Sequence, residues 1–134
     1  MANELLQVAP ISGIAGADLT GMEGRIARPT STGWVLAGLG QFGLPIVVGG
    51  ASGRAVTLGG VGNIHRVIAS ATVTAGAFLK SHTDGTVRDA AATSVSAATV
   101  VGSYAVGIAL TAGVANGSVE MLTIPMGLLP TTAA

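Results

Sequence analysis

Apolar residues along this chain come in short runs that end at glycine. Ile64-His65-Arg66-Val67-Ile68-Ala69 is rich in β-branched side chains and predicts a strand. Residues 77–80 and 86–88 flank Ser81-His82-Thr83-Asp84-Gly85, and Asp-Gly between two such runs predicts a hairpin. From Val100 onward the chain alternates in size. Val100, Gly102, Tyr104, Val106, Ile108 and Leu110 fall on one side, and Val101, Ser103, Ala105, Gly107, Ala109 and Thr111 on the other. That period predicts a strand whose bulkier set faces a core. Asn116-Gly117 suits the positive φ angles of a tight turn and is expected to join residues 104–112 to 118–124. Only residues 3–8 and 90–98 suit a helical turn. The expected fold is all-β, a small β-barrel or β-sandwich with short helical turns only.

A weak internal echo adds a second level of order. Ala15-Gly16-Ala17-Asp18-Leu19 resembles Ala75-Gly76-Ala77-Phe78-Leu79, and Gly24-Arg25-Ile26-Ala27-Arg28 parallels Gly85-Thr86-Val87-Arg88-Asp89. Pro45-Ile46-Val47-Val48 followed by residues 53–58 parallels Gly107-Ile108-Ala109-Leu110 followed by residues 117–122. The expected organisation is an N-terminal arm (1–13), one β domain (14–127) made of two similar units (about 14–62 and 63–127), and a C-terminal tail (128–134). The Ser/Thr/Ala-rich segment 90–99 reads as a linker inside the second unit.

Composition narrows the function classes. With 134 residues the chain suits one domain or two very small halves sharing a core. Six basic and six acidic side chains give zero net charge, without the basic footprint that a nucleic-acid partner requires. The lack of cysteine excludes a disulfide scaffold and a thiolate zinc site. A mean hydropathy of +0.69 raises the question of a membrane span. Segment 29–53 holds seven glycines and two prolines, which oppose a continuous helix. The apolar centre of the second candidate, 100–115, is shorter than the ~20 residues a span needs. Residues 1–16 lack the basic start of a secretory signal. A soluble protein made in the cytoplasm is expected, with no membrane partner.

Chemistry-bearing motifs are scarce. Gly38-Leu39-Gly40-Gln41-Phe42-Gly43 has dinucleotide-loop spacing, but Pro45 and β-branched Ile46-Val47-Val48 follow where a helix must begin. It reads as turn glycine. His65 and His82 have only Asp84 and Asp89 as nearby carboxylates, too few donors for a metal site. No nucleophile elbow, phosphate loop or His-Glu-x-x-His occurs. No enzyme, cofactor or metal is expected. Among the four aromatics, Phe78 and Tyr104 read as core. Trp34 and Phe42, in the glycine-rich region, are candidates for a subunit or partner interface, where aromatic anchors dominate. Leu5, Leu6, Val8 and Ile11 give the N-terminal arm an apolar stripe suited to the same role.

The series Thr74-Ala75-Gly76-Ala77-Phe78-Leu79-Lys80, Thr83-Asp84-Gly85-Thr86-Val87, Val106-Gly107-Ile108-Ala109-Leu110 and Asn116-Gly117-Ser118-Val119-Glu120-Met121 resembles the capsid decoration (cement) proteins of tailed bacteriophages. The likeness covers residues 64–124 and extends more loosely over 12–62. It implies an all-β homotrimer on the outer surface of the virion head. There it would bind the major capsid protein and clamp neighbouring subunits. A clamp of that kind needs no catalytic residue and no cofactor. On this reading the arm orders on the capsid, adding a strand to a neighbouring sheet, with 128–130 as a second segment of that kind. Two other classes fit the residues: another virion part such as a tail or head fibre, and a β-barrel binding a small ligand with its mouth at 38–43.

Overall fold

The structure is a computed structural model, and it describes residues 10–90, 94–96, 99–101 and 104–124. These residues form an all-β protein without a helix, built on two five-stranded antiparallel sheets. The first sheet uses β1 (Ile11–Ile14), β2 (Ile26–Thr30), β3 (Gly33–Leu36), β4 (Leu44–Val48) and β5 (Ala55–Leu58), in the spatial order β1-β5-β4-β2-β3. The second uses β6 (Ile64–Ile68), β7 (Phe78–Ser81), β8 (Val87–Asp89), β11 (Gly107–Ala109) and β12 (Ser118–Thr123), in the order β6-β12-β11-β7-β8. Between β8 and β11 lies a separate hairpin of β9 (Ser94–Ser96) and β10 (Thr99–Val101). With that hairpin set aside, the two sheets follow the same strand circuit.

Each sheet curls until its two edges meet. Ala15, just past β1, bridges Trp34 of β3 in parallel, and the Gly16 amide donates to the Trp34 carbonyl at 2.8 Å. Ala69, just past β6, bridges Val87 of β8, and the Ser70 amide donates to the Val87 carbonyl at 2.8 Å. Further bonds repeat in the same places. Ala15 donates to Arg54 O and accepts from Gly53 N, while Ala69 donates to Gly117 O and accepts from Asn116 N, all at 2.8 Å. Gly53 and Asn116 therefore hold the same position, and both have positive φ, 81° and 66°. Closure removes most of the unpaired backbone that an open edge would present.

A five-stranded barrel has a narrow bore, which explains the dominance of small aliphatic residues. One core cluster gathers Ala15, Leu19, Ala27, Leu44, Ile46, Val56 and Leu58, with Met22, Trp34 and Leu36 packed against it. The other gathers Val67, Ala69, Val73, Leu79, Val87, Val106, Ala109, Val119 and Met121, and draws in Ile26 of β2 and Ala37 just past β3. Facing pairs trade size between the two sheets. Ala27 pairs with Leu44 in the first, whereas Leu79 pairs with Gly107 in the second, so the large side chain changes strand while each pair keeps one small member.

Several expectations need correction. Phe78 and Tyr104 are not core residues: they are 39% and 41% exposed. Over residues 104–110, Val106 is buried as expected, but the expected phase fails at the positions around it. Ala105, Val106, Gly107 and Ala109 are buried, while Tyr104 and Leu110 are exposed. At Gly107 a β-carbon would collide with the Leu122 carbonyl and the Met121 side chain, so the small residues belong on the inside. Residues 94–96 form β9 and not a helical turn. Ile11, Ser12 and Gly13, assigned by sequence to the arm, pair with Leu58, Thr57 and Val56 as part of β1. The connection from β11 to β12 is longer than a tight hairpin, and at its tip only Asn116, not Gly117, has positive φ. The Asp84-Gly85 hairpin does form, with Gly85 at φ 79° between β7 and β8.

Candidate interaction surface

Closed barrels turn their function outward, because their bores are filled. On the outer face of the second sheet, cross-strand register aligns four apolar residues in one row. Ile64 of β6 lies opposite Leu122 of β12, Leu122 opposite Ile108 of β11, and Ile108 opposite Phe78 of β7. Direct partners on one face stand about 4.5–5.5 Å apart at Cβ, so the row is continuous. Ile64 is 59% exposed, Phe78 is exposed, and Ile108 and Leu122 are half-buried. Two residues along the ladder, on the same face, Arg66 faces Glu120, an opposite-charge pair that borders the apolar row.

The corresponding part of the first sheet is covered by the second. The Ile68 amide donates to the Gly24 carbonyl at 2.9 Å, and the Ile26 amide to the Gly85 carbonyl at 2.7 Å. Arg25 adds a bond from Nη1 to the Asp84 carbonyl at 3.0 Å and an ion pair with its carboxylate at 3.2 Å. Asp84 is held below the usual carboxylate value chiefly by the Thr86 hydroxyl, which donates to it at 2.6 Å, with Arg25 adding to the effect. The His65 ring lies on Gly59, where it occupies the space a β-carbon would need, and bonds through Nδ1 to the Thr123 hydroxyl at 2.8 Å. Burial pushes His65 below its ordinary value.

The glycine-rich loop 38–43 belongs to this joint as well. Gly40 N donates to Ser81 O at 2.9 Å, and Tyr104 N donates to Gly40 O at 3.0 Å. The Gln41 side chain accepts from Gly38 N at 2.6 Å. These amides are committed within the chain, and β4 follows where a phosphate-binding helix would have to start. Beside the loop, Arg28, Pro29, Gly40, Gln41, Phe42 and Tyr104 line an open cleft of about 280 Å³. That is the lower edge of the range for small-molecule sites, and its openness suits a protein contact better than an enclosed ligand.

The sequence candidates are scattered over this frame. Phe42, 41% exposed, lines the cleft with Tyr104. Trp34 is half-buried against the first core, its indole lying on Gly13 at the seam of the barrel. Ile11 is 39% exposed at the start of β1. Leu5, Leu6 and Val8 lie outside the described residues. The row of Ile64, Phe78, Ile108 and Leu122 escaped the sequence reading, which turned Phe78 and Ile108 inward. Its signal was the run of apolar residues on both faces of single strands. His82 accepts from Arg88 Nη2 at 3.2 Å, and Arg88 Nε donates to the Ser70 hydroxyl at 3.1 Å. Among the described residues no group of three or more His, Cys, Asp or Glu could hold a metal ion, and no helix is long and apolar enough to cross a membrane.

No family model matches the chain, and no curated protein matches it. Among solved structures, the chain is similar in fold to the N base of the head fiber protein gp8.5 of bacteriophage phi29. The TM-score is 0.59 at 15% identity, over 87% of this chain and 93% of that one.

Proposed function

We propose that this chain is a structural protein of a tailed-phage virion, placed on the outer surface of the head, where it holds neighbouring major capsid subunits together. The observation that carries this reading is the fold shared with a phage head-fiber base over most of both chains. The turn and strand series of residues 64–124 supports it independently, through its likeness to decoration proteins. The physical design is compatible. Two filled barrels, one with an apolar outer row, offer contact area, and many modest contacts repeated over a shell sum to high avidity. The partners on this reading are the major capsid protein and further copies of the chain as a homotrimer, with no cofactor, nucleic acid or membrane. The protein is made in the host cytoplasm and ends on the capsid surface.

Co-sedimentation of the purified chain with expanded, DNA-free shells of the phage that encodes it tests the proposal. Saturable binding, together with a raised melting temperature of the shell, is the expected result. The stoichiometry at saturation separates the two finer forms: occupancy of every capsomer marks a cement protein, and occupancy of a subset marks a fibre base. A folded chain that leaves the shells bare would overturn both.

A further inference from the structure

We infer that the chain associates with itself head to tail, β1 of one copy seating on the β7 end of the second sheet of the next copy, as β6 seats on the β2 end of the first sheet within one chain. The inference rests on the homotrimer of that proposal and deepens it by naming the two faces that join, argued from the chain's own two sheets.

Ladder partners define which residues correspond. Gly24 N donates to Ile46 O and Ile46 N to Arg25 O, while Gly76 N donates to Ala109 O and Ala109 N to Ala77 O. Gly24 thus corresponds to Gly76, with matching φ of 84° and 87°, and Ile26 to Phe78. Ile14 is the last residue of β1 opposite β5, and Ile68 the last of β6 opposite β12, each one residue before its seam alanine. Ile14 therefore corresponds to Ile68, and Ile11 to His65.

Inside the chain, one copy of the joint is made. Ile68 lies over Gly24, its Cγ1 3.3 Å from where a β-carbon would sit, and Ile26 is fully buried. The other copy of each face is open. Gly76 has nothing within 4 Å of that position, Phe78 is 39% exposed, and Ile14 is 52% exposed. A single chain carries two acceptor faces and two donor faces but joins only one of each.

The substitutions between used and unused faces run in one direction. On the acceptor side, buried Ile26, Pro45 and Gly59 correspond to Phe78, Ile108 and Leu122, three members of the apolar row. On the donor side, His65 and Arg66 correspond to Ile11 and Ser12, so the free face loses a charge and gains an isoleucine. Both free faces are apolar and borne by the same chain, which makes a second copy the occupant that fits. Such a contact joins two different patches, so it propagates until it closes into a ring or continues as a filament.

Light scattering on three full-length proteins tests this: the wild type, Ile14→Glu and Phe78→Glu. Both changes lie at exposed positions, and melting curves verify that each variant folds. The wild type is expected to be an oligomer and each variant alone a monomer. An equimolar mixture of the two variants is expected to give a capped dimer, because one retains its donor face and the other its acceptor face. A monomeric wild type, a variant that keeps the wild-type mass, or a mixture that stays monomeric would each overturn the inference. A cysteine pair gives a second readout, since the chain has no native cysteine. Ile14→Cys and Ala77→Cys should cross-link when mixed and not when either is alone. Equal yields from either variant alone would indicate a symmetric contact and overturn the head-to-tail arrangement.

Discussion

The Ser81 hydroxyl in β7 lies 2.6 Å from the Gly38 carbonyl of the β3–β4 loop, and a second carbonyl, that of Gln41, is 3.0 Å away. The serine is fully buried, and its single proton serves two acceptors across the joint between the sheets. Ser81→Ala leaves both carbonyls without this donor. The expected loss is about 1–3 kcal/mol of unfolding free energy, measured by urea denaturation. Unaltered stability would show that loop 38–43 is held by its backbone bonds alone.

The traded sizes of the facing pairs give a second prediction. Leu79→Ala places small residues on both sides of the Leu79–Gly107 pair and is expected to cost about 2–5 kcal/mol. Ala27→Leu does the opposite in the first sheet, crowding Leu44, and is expected to cost about 1–3 kcal/mol. Thermal unfolding of both variants checks the pair.

Asn116 is the only non-glycine residue with positive φ among the described residues. Asn116→Gly is expected to leave the melting temperature nearly unchanged, because glycine holds the corresponding position at Gly53. Asn116→Val, which resists the left-handed region, is expected to cost about 1–2 kcal/mol.

Stability should weaken as pH falls through the histidine range. Burial lowers the His65 value from 6.5, so below that pH the unfolded chain binds a proton that the folded chain does not. This contribution is fully present above pH 6.5 and is lost as pH drops toward the lowered folded value. His65→Gln should flatten the melting temperature against pH in that window. Asp84 acts in the same direction lower down: its share is present above the ordinary carboxylate value of 3.8 and is lost as pH falls through its depressed folded value. A His65→Gln profile that still falls between pH 6.5 and the carboxylate range would assign the histidine-range effect to another group.

Much of the strand content was legible because it rests on local signals. The β-branched run at Ile64 became β6, and Asp84-Gly85 turned where its chemistry said it would. Facing was harder to read. Size alternation placed Tyr104 inside and Ala105 outside, whereas a narrow bore selects the small residue. The echo between halves was visible but misaligned. Ala15 corresponds to Ala69 and not to Ala75, and Gly53 to Asn116 and not to Gly117. Equivalence here lies in backbone geometry, which glycine and asparagine share without sharing a letter. The candidate surface suffered most, because cross-strand rows arise only when register is known. Nothing in the chain order of Ile64, Phe78, Ile108 and Leu122 brings them together.

The position of Trp34 carries an optical consequence. It is the only tryptophan, and it lies at the seam of the first barrel, while no aromatic belongs to either cluster of buried residues. Tryptophan emission therefore watches one barrel and is nearly blind to the other. An unfolding curve followed by that emission, laid over one followed by backbone circular dichroism, will separate if the barrels melt in sequence and coincide if their shared joint makes them a single cooperative unit.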